Sequence, residues 1–179
     1  MPDSPLAGSS KPLVVLIGAP GAGKTRMGKR LAKLLDATFI DTDKTIVAEH
    51  GAITAIFAEH GEPTFREIEA EHVARALEQG GVVALGGGAV LHPATQASLR
   101  DHRVAQLTVS AEAVTSRIAN SKRPLLANGV DAWIDLVDAR RPVYDELATR
   151  TFDTSHRPLD AIALEIADWI RSDLTKDTP

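Results

Sequence analysis

The residues best equipped for chemistry begin with Gly18-Ala19-Pro20-Gly21-Ala22-Gly23-Lys24-Thr25. This run follows an apolar stretch, Leu13–Ile17, and precedes a helical pattern with Met27, Leu31, Leu34 and Leu35 on one face. Strand, glycine-rich turn, Lys-Thr and helix make the G-x-x-x-x-G-K-[ST] phosphate loop in the context it needs. Glycines let the backbone curl until successive N–H groups face phosphate oxygens, and the helix N-terminus adds positive potential. Lys24 is placed to reach the β- and γ-phosphates, and the Thr25 hydroxyl to ligate Mg²⁺. The loop implies a held nucleotide phosphate and leaves the acceptor open.

A second cluster, Asp41-Thr42-Asp43, closes the next strand-like segment. Many phosphate-loop proteins present their metal with an aspartate at the end of a later strand. Here the later segment Gly81–Leu85 runs into Gly86-Gly87-Gly88 without a carboxylate. Asp41 is therefore the candidate metal anchor, directly or through water. Asp43 either faces an acceptor hydroxyl or caps the following helix. A carboxylate of ordinary pKa, about 3.9, is a weak base toward an alcohol. Orienting the hydroxyl counts for more than deprotonating it when the transition state is loose. The three glycines form either a tight turn or a surface where backbone N–H groups meet a ligand's carboxylate or hydroxyl.

Three sets of cations complete the inventory. Arg66 lies between Phe65 and Ile68, with Glu62 and Glu69 at helical spacing on either side. It is either a surface ion pair or a guanidinium braced to grip a carboxylate in bidentate fashion. Arg123 sits in the polar segment 120–130, which is an ordinary loop or a lid that keeps water from the transferred phosphoryl group. Arg140 and Arg141 follow on the next helix. The six histidines have no metal-ligand spacing, and Trp133 and Trp169 are read as packing residues.

The elements that must position these groups alternate. Strand-like runs are expected at Leu13–Ile17, Thr38–Asp41, Gly81–Leu85, Val104–Val109 and Thr151–Asp153. Helical patterns span Gly23–Leu35, Asp43–His50, Ile53–His60, Glu62–Gln79, Pro93–Arg100, Ala111–Ile118, Asp131–Thr149 and Leu159–Ser172. Such alternation predicts βα units around a mainly parallel sheet. The 179 residues suit one domain over 13–175, behind a disordered polar leader at 1–12. A net charge of −4 argues against a nucleic-acid module. With no cysteine, disulfides and thiolate metal sites are excluded. No apolar run approaches the roughly 20 residues that span a bilayer, and no signal-peptide pattern opens the chain, so a cytoplasmic protein is expected.

Taken together, the chain resembles the shikimate kinase family of the nucleoside-monophosphate-kinase-like P-loop group. The matching motifs are Gly18–Thr25, Asp41-Thr42-Asp43, Gly61-Glu62 with Phe65-Arg66 and Glu69, Gly86–Val90, Arg123-Pro124-Leu125-Leu126, and Arg140 with Tyr144. The resemblance implies a three-layer α/β/α fold with a five-stranded parallel sheet of order 2-3-1-4-5 and a mobile lid. It implies ATP and Mg²⁺, with shikimate as phosphoryl acceptor, and a monomer. Gly21, Ala22, Gly23, Lys24 and Thr25 would hold the nucleotide, with Thr25 and Asp41 at the metal. Asp43 would hold the acceptor hydroxyl, while Arg66, Gly87, Gly88 and Arg140 bind shikimate and Phe57 and Phe65 line its ring. Arg123 would act on the phosphates, and Arg117 with the loop Thr154–Pro158 would meet adenine. Arg26 stands where family members usually carry a small hydroxyl residue. A gluconate kinase shares this plan, as would an idle metabolite-binding relative. The latter would be expected to have lost Lys24, Asp43 or Arg123, all of which are present.

Overall fold

Apolar side chains alternate in use along the first strand, and that alternation sets the layers. The computed structural model describes residues 11–119 and 129–176. In β1 (Pro12–Gly18) every residue is buried. Val14 and Leu16 join one core with α1 (Lys24–Leu35) and α7 (Leu159–Lys176), built around Met27, Leu31, Ile162 and Ile166. Val15 and Ile17 point the other way, into a core with Val73, Leu77, Val90, Tyr144 and Leu147. A strand buried on both faces is a continuous apolar run, the mark of a parallel sheet covered on both sides.

The other strands are β2 (Phe39–Asp41), β3 (Gly81–Ala84), β4 (Val104–Thr108) and β5 (Arg150–Asp153). All pairings are parallel, and the order is β2-β3-β1-β4-β5, as the resemblance implied. With β1 central, its partners β3 and β4 diverge on either side, and the loop after Gly18 opens into the crevice between them. In such sheets this switch point, at the carboxyl ends of the strands, is where ligands bind.

The helices differ from expectation mainly at their ends. α2 (Thr42–His50) starts one residue early because Asp41 caps it, accepting from the Lys44 N–H at 3.3 Å. The two helices expected on either side of Gly61 form one kinked element, α3 (Ile53–Leu77). Gly61 breaks the helical geometry inside it with φ 79° and ψ 168°, and Pro63 follows in the next turn. A short 3-10 turn (Ala89–Leu91) and α4 (Pro93–Leu99) come next, then α5 (Ala111–Ala119). α6 (Gly129–Leu147) takes in Gly129 and Val130, which the sequence had assigned to the lid. The rest of that segment, including Arg123, and the leader up to residue 10 lie outside the described residues; Pro12 already belongs to β1. No helix among the described residues is long and apolar enough to cross a membrane.

Two small clusters stand apart from the sheet cores. Ile46, Ile56 and Phe65 join α2 to α3, with Phe57 and Ile68 packed against them. Ala19, Val114 and Trp133 join the turn after β1 to α5 and α6. Each carries part of the site.

Candidate active site

The carboxyl ends of β1, β2 and β3 bring the loop, the acidic turn and the glycine run to one edge. Gly21 and Gly23 have φ of 85° and 93°, the left-handed geometry that turns consecutive N–H groups toward one point. Lys24, the first residue of α1, donates from Nζ to the carbonyls of Gly18 at 2.7 Å and Ala19 at 3.1 Å. Burial pushes its pKa down to about 8, against the opposing charges of Asp43 and Asp41. The lysine therefore lies at the centre of the cluster, with both aspartates near enough to act on it.

Thr25 and Asp41 meet directly: Thr25 Oγ1 donates to Asp41 Oδ2 at 2.7 Å. A hydroxyl and a carboxylate converging in this way form the hard oxygen donor set that Mg²⁺ selects. The pair fits the predicted metal anchor, and the helix cap engages the other oxygen of Asp41. Capping is thus done by Asp41, and the capping alternative for Asp43 falls away. Asp43 instead turns toward Gly86, where a Cβ would collide with its Oδ1 and lie 2.8 Å from Glu69 Oε1. Desolvation raises the Asp43 carboxyl above its ordinary range, the Asp41 charge adds to this, and Lys24 and Arg66 oppose it.

Arg66 is held from both sides, as its spacing allowed. Its Nη1 donates to Glu69 Oε2 at 2.5 Å, and Nη2 and Nε reach Glu62 Oε1 at 3.1 and 3.3 Å. The surface-pair reading fails on burial: the Glu69 side chain is 2% exposed and that of Arg66 17%. Burial raises the Glu69 carboxyl, while the hydrogen bond and charge of Arg66 pull it back. The guanidinium carbon also stands 5.3 Å from the centroid of the Phe65 ring, and Phe65 packs on Phe57 with centroids 4.6 Å apart.

The glycine run is a close approach as well as a turn. A Cβ at Gly88 would sit 2.6 Å from Arg66 Cζ, and one at Gly87 would lie 3.5 Å from Arg140 Nη1. Both arginines therefore converge on the run, from α3 and α6. Tyr144, one turn beyond Arg140, donates its hydroxyl to the Gly87 carbonyl at 2.6 Å, and the Arg140 charge partly offsets the rise that burial gives its pKa. Arg141 faces outward and pairs with Asp138 at 2.7 Å. The choice of Arg140 over Arg141 is the one the geometry favours.

At the other side of the loop, Arg117 donates from Nη1 to the Gly21 carbonyl at 3.1 Å and to Thr154 Oγ1 at 3.3 Å. Its Nη2 reaches the Thr154 carbonyl. Desolvation, and then the Arg26 charge, lower its pKa. Arg117 and the segment from Thr154 thus share one flank of the loop.

Three contributors were not read from sequence. Buried Thr42 donates to the Ala84 carbonyl at 3.4 Å and accepts from the Gly86 N–H at 3.2 Å, tying the acidic turn to the glycine run. The Tyr144–Gly87 bond is the second. Trp133, taken as packing alone, also donates its indole N–H to the Pro20 carbonyl at 2.9 Å. Their common sequence signal was a polar atom on an otherwise core-facing residue. Separately, Glu49, His50 and His72 bring possible ligand atoms within 4.8 Å of one another, although no sequence spacing links them. Arg75 donates to both Glu49 and His72, at 2.9 and 2.8 Å, and takes the place a cation would need between them.

Comparison with known proteins bears on this arrangement. The family model described as "Shikimate kinase" matches residues 20–171. A shikimate kinase of Corynebacterium efficiens is 43% identical over 168 residues, covering 92% of this chain and 99% of the relative. One of Thermobifida fusca is 46% identical over 161 residues, covering 87% and 94%. Among solved structures, shikimate kinase from Acinetobacter baumannii in complex with shikimate superposes with a TM-score of 0.80 at 33% identity, covering 89% of this chain and 93% of that one.

Proposed function

The chain belongs to the shikimate kinase family, and from that membership we propose how its own residues move the γ-phosphoryl group of ATP to the 3-hydroxyl of shikimate. The observation that carries the assignment is the convergence of Arg66 and Arg140 on Gly87 and Gly88, beside Asp43 and within reach of the phosphate loop. Two guanidiniums at one glycine surface suit a carboxylate, and the adjacent carboxyl suits a hydroxyl on the same ring.

The loop amides of Gly21 and Gly23 bind the nucleotide phosphates with Lys24, whereas the Ala22 N–H expected beside them donates to the Ala19 carbonyl at 3.1 Å and closes the turn; Arg117 borders the adenine. Thr25 and Asp41 would hold Mg²⁺, which neutralises phosphate charge when bound. Arg66, braced by Glu62 and Glu69, and Arg140 grip the acceptor's carboxylate. That grip fixes the ring so that its hydroxyl lies against Asp43. Burial has raised the Asp43 carboxyl, which makes it a better proton acceptor than a solvent-exposed aspartate. It orients the hydroxyl and receives its proton as the oxygen–phosphorus bond forms and ADP leaves. Arg123, assigned from the family pattern, adds positive charge at the transferred group. Catalysis is thus positioning plus fixed charge. We read the protein as a monomer working in the cytoplasm, where ATP is supplied.

Coupled release of ADP tests the reading. ATP with shikimate is expected to give turnover, ATP with gluconate almost none, and Asp43→Asn a folded protein that has lost most of kcat. Turnover with gluconate alone would overturn the acceptor, and a near-normal Asp43→Asn would remove Asp43 from the reaction.

A further inference from the structure

We propose that Trp133 is a positioning residue for nucleotide binding, acting through the Pro20 carbonyl. The proposal rests on the kinase reading only in treating Gly18–Thr25 as the nucleotide loop.

Three consecutive carbonyls of that loop are held by side chains from three separate elements. Pro20 accepts from Trp133 Nε1 of α6 at 2.9 Å, Gly21 from Arg117 of α5 at 3.1 Å, and Ala22 from Thr154 Oγ1 after β5 at 3.0 Å. A trans peptide is planar, with its C=O and the following N–H pointing in opposite directions, and this chain has no cis bond among its described residues. Anchoring the Pro20 oxygen outward therefore aims the Gly21 N–H inward, toward the phosphate position. Gly21 has φ of 85°, where glycine moves most freely, so this peptide has no side chain of its own to restrain it.

Trp133 is well built for that task. It is 6% exposed, packed with Ala19 and Val114, and its ring has a donor and no acceptor. The Pro20 carbonyl is only partly buried, so without the indole it would turn toward water or another donor, and the amide on the far side of the peptide would turn with it.

The measurement is the calorimetric Kd for MgADP without acceptor, so that a failure of the shikimate assignment leaves it readable. Trp133→Phe keeps an aromatic ring, though a smaller one, and removes the donor; it is expected to weaken MgADP about threefold to tenfold. The Kd for shikimate should stay within about twofold, since a single peptide of the loop is affected. Ile134→Ala loosens the same cluster but keeps the indole, and should lower Tm without this loss of MgADP affinity. Parental MgADP affinity in Trp133→Phe overturns the proposal, as does an equal loss in Ile134→Ala or an equal rise in both Kd values. A second, isosteric test covers poor folding of the variant. The chain has two tryptophans, so in a Trp169→Phe background benzothienylalanine replaces Trp133 alone and exchanges its N–H for sulfur. The same loss of MgADP affinity relative to the Trp169→Phe parent is expected, and its absence overturns the proposal.

Discussion

Lys24 illustrates how one residue's chemistry depends on its neighbours. Burial pulls its pKa down, the Asp43 and Asp41 charges restrain that, and the pKa comes to rest at about 8. Below this value the free enzyme presents an ammonium to phosphate, and above it an amine. Since kcat/KM reports groups of the free enzyme, kcat/KM for ATP should fall as pH rises through about 8. In the bound state phosphate charges favour the ammonium, so the alkaline limb of kcat should lie higher. A pH series from neutrality to mild alkali with shikimate saturating separates the two limbs. A kcat/KM that is level well beyond pH 8 would show that Lys24 keeps its proton there.

At the scale of elements, α6 puts two adjacent arginines to different uses. Arg140 looks into the crevice beside Gly87 and Tyr144, and Arg141 looks out to Asp138. Arg140→Ala should raise the KM for shikimate roughly tenfold to a hundredfold, the scale of one charged hydrogen bond, with the KM for ATP little changed. Arg141→Ala loses an exposed pair worth at most about 1 kcal/mol and should leave both constants near parental. Steady-state kinetics of the two variants side by side decides the matter; an Arg141 effect equal to that of Arg140 would mean the helix face has been misassigned. That face was legible in sequence because Arg140 and Tyr144 are four residues apart. So were β1, the phosphate loop and the Arg66–Glu69 pair, where periodicity or local spacing carries the information. The Thr42–Gly86 and Trp133–Pro20 bonds were not legible, since they join residues 44 and 113 positions apart. Nor could spacing show that Asp41 and not Asp43 caps α2, because both stand where a cap is possible and tertiary packing selects one.

Across the whole molecule, the acceptor side of the site hangs on the joint between α2 and α3, which has its own small core around Ile46, Ile56 and Phe65. A buried histidine completes that joint. His72 is 3% exposed, with Nε2 at 2.8 Å from Arg75 Nη2 and Nδ1 at 2.8 Å from Thr45 Oγ1. Arginine can only donate, so Nε2 must accept and the ring proton belongs on Nδ1. Nδ1–H then donates to Thr45, whose hydroxyl donates to the Thr42 carbonyl at 2.9 Å, inside the acidic turn. Protonating Nε2 would set two donors face to face. Burial first, and then the Arg75 charge, hold the His72 pKa below 6.5; His50 adds to this, while Glu49 and Glu71 pull the other way. The unfolded chain, with an ordinary histidine, takes up that proton more readily, so stability is present above pH 6.5 and is lost as pH falls from there toward the folded pKa. The urea midpoint should therefore drop between about pH 7.5 and 5.5. In His72→Gln, which has no proton to gain, the slope should be shallower, with the remaining carboxylate contributions common to both proteins. Parallel slopes would show that the joint between α2 and α3 is indifferent to this proton. A shallower slope in the variant would mean that this one proton, taken up where α2 meets α3, accounts for part of the loss of stability in mild acid.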